Sequence, residues 1–304
     1  GSERTRNGAR VWDSSADPGL RGPGFRVGVR AAVAASPERS KAYKPENVLL
    51  SATHTHQGAA GYSHDDGGNL FHFGYDALVY QTTVNGIVAA IRLAHANLEA
   101  HPPASIKLAV GELLNTNINR SLPAFMLDSE AERRAFLNRR GEPVEVDTRF
   151  VQLNLARNDG AAVGVINWFG VHGTVLGPEL KLVSSDNKGY ASLGFEKIMR
   201  TRYDAPAGAD TFVAAFAQTD EGDSSPNIFI RQRPWPDPAR GGGKDPYESN
   251  AISGSKQLAK SLELFAQGAL LSGPVDFRFF HVPISAITVT DPVVVDYAVS
   301  LARP

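Results

Sequence analysis

The chain has 304 residues, enough for one large α/β domain with a substantial core, and its 31 Lys and Arg against 32 Asp and Glu leave a net charge of -1. That balance gives no global field for nucleic acid or an anionic bilayer, and the lack of cysteine excludes disulfides, thiolate ligands and a cysteine nucleophile. Any transition metal must be held by His, carboxylate or phenolate; no apolar run reaches the roughly 18 residues of a membrane-spanning helix, and no signal-peptide pattern opens the chain.

Residues 1–24, rich in Gly, Arg, Ser and Asp, show no sustained period and read as an irregular N-terminal segment. Phe25 to Ala35 suggests a short helix, and Lys44-Pro45-Glu46-Asn47 turns the chain into an apolar strand, Val48-Leu49-Leu50. The strand runs into Thr53-His54-Thr55-His56-Gln57-Gly58. In extended backbone, residues two apart share a face, so His54 and His56 present two imidazoles side by side: half of a metal site, or one buried hydrogen-bonded histidine beside an exposed one. His64, Asp65, Asp66 and His72 fall in the glycine-rich loop that follows, where solvated polar residues are ordinary.

Val84, Ile87, Val88, Ile91, Ala94 and Leu98 have the spacing of an amphipathic helix over about 75–99, stopped by Pro102-Pro103; His95 and His101 suit its C-terminal end. Ile106, Leu108 and Val110, then Val151, Leu153 and Leu155, alternate as half-buried strands. Ala162 to Val171 is apolar on both faces, a central strand that delivers His172 to the sheet edge. Ser184 to Asn187 opens a helix to about Tyr203, with Asp186 and Asn187 as capping or loop-bracing residues. Thr211 to Ala217 is a second two-sided strand and runs into Gln218 to Asn227. A Pro- and Gly-rich loop over 231–249 precedes a helix from Ala251 to Leu270, and 277–284 and 287–295 read as closing strands. This alternation predicts an α/β fold, a layered domain with a mixed β-sheet flanked by helices.

Three polar segments thus leave strand ends: His54/His56, His172, and Asp223-Ser224-Ser225-Pro226-Asn227. Their convergence would suit metal-assisted hydrolysis, in which imidazoles hold zinc at about 2.0–2.1 Å and a further histidine moves protons. Read singly, His172 also suits a satisfied core histidine, Arg120 a structural salt bridge, and Ser225 before Pro226 a turn.

Thr53-His54-Thr55-His56, Asn117-Ile118-Asn119-Arg120-Ser121, Asn167-Trp168-Phe169 with His172, Ser185 to Tyr190, and Phe216 to Thr219 leading into Gly222 to Asn227 together resemble the successive motifs of neutral ceramidases. The likeness runs from about Asn47 to Asn227 and more weakly to about Ile284. It implies a ceramidase-like catalytic domain over 25–304, incomplete at both ends, and a Zn2+-dependent amidase that splits ceramide, or a related N-acyl lipid, into a fatty acid and a sphingoid base. Carried over, His54 and His172 are zinc ligands and His56 stands near the scissile amide. Arg120 holds a developing oxyanion, and Ser225 is either nucleophile or a supporting group; without a G-x-S-x-G elbow the second role is preferred. The resemblance also implies a secreted, cell-surface or periplasmic protein with peripheral membrane contact, no transmembrane segment and no nucleic-acid partner. Two departures stand out: Gln57-Gly58-Ala59-Ala60-Gly61 replaces the family's Ser-Gly-Pro-Gly-Gly, and Gly173 replaces a Ser. Family members complete the zinc shell with a Glu and a Tyr from a region beyond Pro304. The expectation is therefore a fragment or abbreviated relative, with a non-catalytic lipid- or metal-binding derivative, or an amidase for another N-acyl lipid, as the alternatives.

Overall fold

The structure is a computed structural model and describes residues 9–13, 28–29, 43–44, 47–62, 74–101, 103–134, 137–138, 140–206, 209, 211–274, 276, 287–288 and 290. In chain order the elements are β1 (Ala9–Asp13), β2 (Val48–Ala52), α1 (Ala77–Ala100), β3 (Pro103–Glu112), β4 (Ile118–Asn119), the short helices α2 (Leu122–Phe125) and α3 (Glu130–Arg133), β5 (Arg149–Arg157), β6 (Ala162–Trp168), α4 (Asp186–Ile198), β7 (Val213–Ala217), β8 (Ser224–Ser225), α5 (Pro246–Phe265) and β9 (Ala269–Leu270). The main sheet has the order β7-β6-β5-β3-β9, parallel between β6 and β7 and antiparallel elsewhere. It is the mixed sheet flanked by helices that the alternation predicts.

Helices α4 and α5 pack against one another, α4 on β7 and α5 across β3 and β5. Phe195 of α4 stacks on Phe212 at 5.2 Å and meets Phe265 of α5 edge-on at 5.4 Å, and these rings anchor the larger core. Gly111 gives Leu264 its place: a Cβ there would sit 3.2 Å from both Leu264 methyls. A second core joins Val84, Ile87, Val88 and Ile91 of α1 to Val29, Tyr43, Val48 and Tyr62. By length and composition α1 is apolar enough to cross a membrane, which the sequence expectation did not foresee; its buried stripe instead packs on that cluster.

Several expectations are corrected. The N-terminal segment holds a strand, β1, whose backbone pairs in parallel with β2; its Arg- and Gly-rich flanks hide a partner distant in sequence. The last helix runs Pro246–Phe265, not 251–270, because Asp245 accepts the Glu248 N–H as N-cap with proline in the first turn, and the chain turns at Gly268 (φ 113°) into β9. Helix α4 likewise stops at Ile198, before Arg200 enters left-handed backbone. Along β5 the deeper face is Phe150, Gln152 and Asn154, while Val151, Leu153 and Leu155 are half-buried. The reason is polar. Asn154 donates to the carbonyls of Leu264 and Gln267 at the end of α5, Gln152 donates to Ser261 O, and Ser261 Oγ donates to Gln152 Oε1 at 2.5 Å, so strand amides satisfy helix-end acceptors. Of the expected Phe25–Ala35 helix, only Gly28 and Val29 lie within the described residues, and both are helical. His64, Asp65, Asp66, His72 and the closing strand over 277–284 lie outside them, as do residues 289 and 291–295 of the second closing strand.

This seam yields a test. Gln152→Leu adds apolar bulk but strips Ser261 and Asn154 of their partners, so it is expected to lower unfolding free energy by about 1–3 kcal/mol in urea titrations; a neutral result would contradict the seam's structural role.

Candidate metal centre and adjoining cavity

Strand β2 ends at Ala52, and His54 takes left-handed backbone (φ 60°), an unusual conformation for a residue with a Cβ. The two histidines therefore meet through a turn, with ring centroids 5.1 Å apart, rather than through strand alternation. Beyond the turn, Thr55 bridges to Gly173 in parallel, His56 N donates to Gly173 O at 2.9 Å, and fully buried Thr55 donates from Oγ1 to Ser184 O. Only glycine fits at this crossing: a Cβ on Gly173 would lie 2.7 Å from both His54 O and Thr55 Cα. Gln218, at the end of β7, staples the same segments by donating to Thr53 O and Val171 O while accepting from Val171 N. Gln57, one of the two departures, clamps the loop by donating to Gly177 O and accepting the Ser184 N–H on its carbonyl.

These constraints bring His172, from the end of central β6, against the pair. One ligand atom from each of His54, His56 and His172 lies within 4.8 Å of the others, and His56 Nε2 is 3.1 Å from His172 Nε2. Two nitrogens bound tetrahedrally at about 2.0–2.1 Å stand about 3.3 Å apart, so the pair needs only a few tenths of an ångström to share an ion. Glu221 organises the cluster from behind. Its backbone carbonyl accepts from His172 Nδ1 at 2.9 Å, which puts the proton on Nδ1 and the lone pair of Nε2 toward the other rings. Its buried carboxylate lies 3.6 Å from His54 Nδ1. Three convergent imidazoles, with the His172 tautomer fixed, can hold a divalent metal ion. The expected split, His54 and His172 for the metal and His56 for substrate, has one geometric correlate: His56 is the exposed member.

Strand β4 pairs antiparallel with β8, Ile118 with Ser225 and Asn119 with Ser224, and so carries Arg120 to the site. Arg120 N donates to Asp223 O and its Nη2 to Gly222 O, while Asn119 Nδ2 donates to the Asp223 carboxylate at 2.7 Å. His56, Arg120 and Ser225 line one cavity of about 240 Å3 with Thr174, Glu179 and Arg240 among its other walls. Buried Ser225 accepts the Asn227 N–H at 3.2 Å, and among the described residues no imidazole or carboxylate hydrogen-bonds its hydroxyl. That arrangement braces a turn and supplies no base to activate a nucleophile.

Behind the cluster lies a buried polar layer. Asp186 accepts from Val175 N, Leu176 N and both Asn187 donors, Asn187 donates to His172 O, and Gln257 of α5 donates to Asn187 Oδ1. Asp186 is thus the expected loop brace; burial pushes its carboxyl up to about 6 against the pull of its N–H donors. Lys188, one per cent exposed, donates to Phe169 O at 2.7 Å and Ala217 O at 3.0 Å, tying the ends of β6 and β7 together. Burial lowers its amine to about 7, opposed by the Glu221 charge. Two donor bonds are what a neutral amine can make, whereas the third N–H of an ammonium would go unmet.

Sequence reasoning named the motifs containing Lys188, Gln218 and Glu221 but gave those residues no role. The available signal was polar side chains placed where apolar strands end, a pattern that marks either a site or a buried brace.

The family model described as "Neutral/alkaline non-lysosomal ceramidase, N-terminal" matches residues 6–300. Neutral ceramidase B of Dictyostelium discoideum is 35% identical over 272 residues, covering 82% of this chain and 36% of the relative. The neutral ceramidase of Mycobacterium tuberculosis is 33% identical over 247 residues, covering 81% and 36%. A solved structure of a ceramidase complexed with C2 superposes with a TM-score of 0.68 at 30% identity, covering 85% of this chain and 36% of that one. The chain spans about a third of the length of the curated relatives it matches.

Two outcomes follow from this geometry. Gly173→Ala must push the 171–174 segment away from His54, so cobalt titration should show metal affinity reduced roughly tenfold or more. Because the folded-state pKa of Lys188 lies below its ordinary 10.5, charging it costs folded stability. Its contribution is complete above about 10.5 and is lost as pH falls toward 7, so unfolding free energy should climb between pH 7 and 10 with a slope of up to about 1.4 kcal/mol per pH unit. Lys188→Met should flatten that slope in denaturant titrations at several pH values.

Proposed function

Since the chain belongs to the neutral/alkaline non-lysosomal ceramidase family, we propose that it carries the metal-binding part of a zinc-dependent amidase that hydrolyses the N-acyl bond of ceramide to a fatty acid and a sphingoid base. The observation that carries this reading is the convergence of three imidazoles, one of which, His56, also lines a cavity with Arg120 and Ser225. His54 and His172 would hold the ion, both braced by Glu221. When bound, zinc supplies Lewis acidity and makes water acidic enough to furnish a nucleophile near neutral pH.

The remaining roles belong to the chain. Hydrolysis forms a C–O bond to water, breaks the C–N bond and requires a proton on the departing amine. His56, the exposed member of the cluster and part of the cavity wall, would move that proton as a general acid. Arg120, fixed through Gly222 O, supports the negative charge that develops on the amide oxygen. Ser225 and Asn227 shape the wall beside it, in keeping with a supporting serine.

Metal analysis and turnover of a fluorescent ceramide test the assignment together. His54→Ala and His172→Ala should each lose stoichiometric zinc and activity, while His56→Gln should keep zinc and lose about 100-fold or more in kcat. Ceramide cleavage undiminished in His54→Ala would refute the reading.

A further inference from the structure

The cavity beside His56 holds two guanidinium groups, Arg120 and Arg240, facing a single carboxylate, Glu179. Among the described residues neither arginine forms an ion pair. Arg120 donates to the Gly222 carbonyl, and Arg240 donates from Nε to the Asp237 carbonyl at 3.2 Å, which leaves the Nη groups of Arg240 without an acceptor among the described residues. Acids close by are already engaged: Glu145 pairs with Arg231 at 2.7 Å and the Asp237 carboxylate lies 3.6 Å from Arg233. Glu179 folds back over its own loop, its carboxylate oxygens 2.1 Å from where a Cβ on Gly177 would be.

Arg240 is also held in place. It closes a short 3-10 turn, Pro238–Gly241, capped by Asp237, and its carbonyl accepts the Phe229 N–H at 2.9 Å. Gly241 and Gly243 pack against Ser249 near the start of α5, where a Cβ would come within 2.6 Å, and the Gly243 N–H is accepted by Ser249 Oγ. A fixed, half-buried guanidinium that forms no ion pair among the described residues presents a preorganised fork for a planar anion.

We infer that Arg240 forms an anion subsite for a carboxylate on the amine side of the scissile amide, so that N-acyl amino acids are substrates of this chain. The inference rests on the hydrolase reading above and adds a charged N-acyl class of substrate beside ceramide. With Arg120 assigned to the developing oxyanion, the subsite offers the single guanidinium of Arg240, whose planar fork matches a carboxylate rather than a phosphate dianion. A cavity of about 240 Å3 falls short of the ~300–1,000 Å3 that drug-sized ligands occupy, so it suits a compact polar fragment and not an entire two-chain lipid. Ceramide itself is uncharged and leaves this guanidinium unanswered.

The test uses the zinc-loaded 304-residue chain and a matched pair, N-lauroylglycine and N-lauroylethanolamine, which differ in carboxylate against hydroxymethyl. Wild type should favour the glycine conjugate by tenfold or more in kcat/KM, Arg240→Gln should cut that ratio at least tenfold, and Arg240→Lys should restore part of it. Equal rates on the two conjugates in wild type, or an equal loss on both in Arg240→Gln, would overturn the inference. Equilibrium binding of the same pair by calorimetry separates it from the catalytic reading. If no amide, ceramide included, is cleaved, yet N-lauroylglycine binds at least tenfold tighter than N-lauroylethanolamine and only with Arg240 present, the hydrolase reading falls and the subsite stands. If the two conjugates bind alike, the subsite falls whatever the turnover.

Discussion

Everything at the candidate centre depends on two backbones passing at contact distance. The Thr55–Gly173 bridge, with its His56 N to Gly173 O bond, sets how far the 53–57 turn lies from the end of β6. No side chain occupies the crossing, so imidazole spacing follows from main-chain geometry and from the Gln218 staple rather than from flexible rotamers. This rigidity matters chemically. Ligands held in place by main-chain geometry bind their ion without a large ordering cost.

The support behind that crossing is polar but mostly uncharged. Gln152, Asn154, Asn187, Gln257 and Ser261 connect sheet, α4 and α5 through amide and hydroxyl bonds, and the chain of contacts ends on the carbonyl of His172. Neutral donors avoid the several kcal/mol that an unmatched buried ion would cost. The two exceptions, Asp186 and Lys188, are both shifted toward their neutral forms by burial. Negative charge is instead placed where it can act, on Glu221 beside His54.

Long-period features were legible in sequence. The amphipathic stripe of α1 follows from burial of side chains at fixed spacing and stands where periodicity puts it, while β6 begins at Ala162 as expected but ends at Trp168, short of Val171. Features set by pairing or capping were not. A two-residue ladder, β4 with β8, is too short to leave a period, yet it alone carries Arg120 to Ser225. The start of α5 depends on Asp245 and Pro246, which composition hides inside a Pro- and Gly-rich loop. Along β5, alternation marked a half-buried strand, but that Gln152 and Asn154 form its deeper face depends on the acceptors at the end of α5, which hydrophobicity does not report. The family motifs pointed to the right segments; what they could not convey was that Glu221 serves two histidines at once, one through its side chain and one through its backbone.

The Thr55–Gly173 crossing also bears on the order of folding. His56 meets His172 across 116 residues and Gln218 meets Thr53 across 165, whereas β5 and β6 are joined by a tight turn. Closing large loops is entropically slow, so the meander and its helices can assemble before the histidines are neighbours. An ion captured at the centre then acts as a latch on the finished topology, stabilising by mass action only those chains in which both distant segments have already arrived.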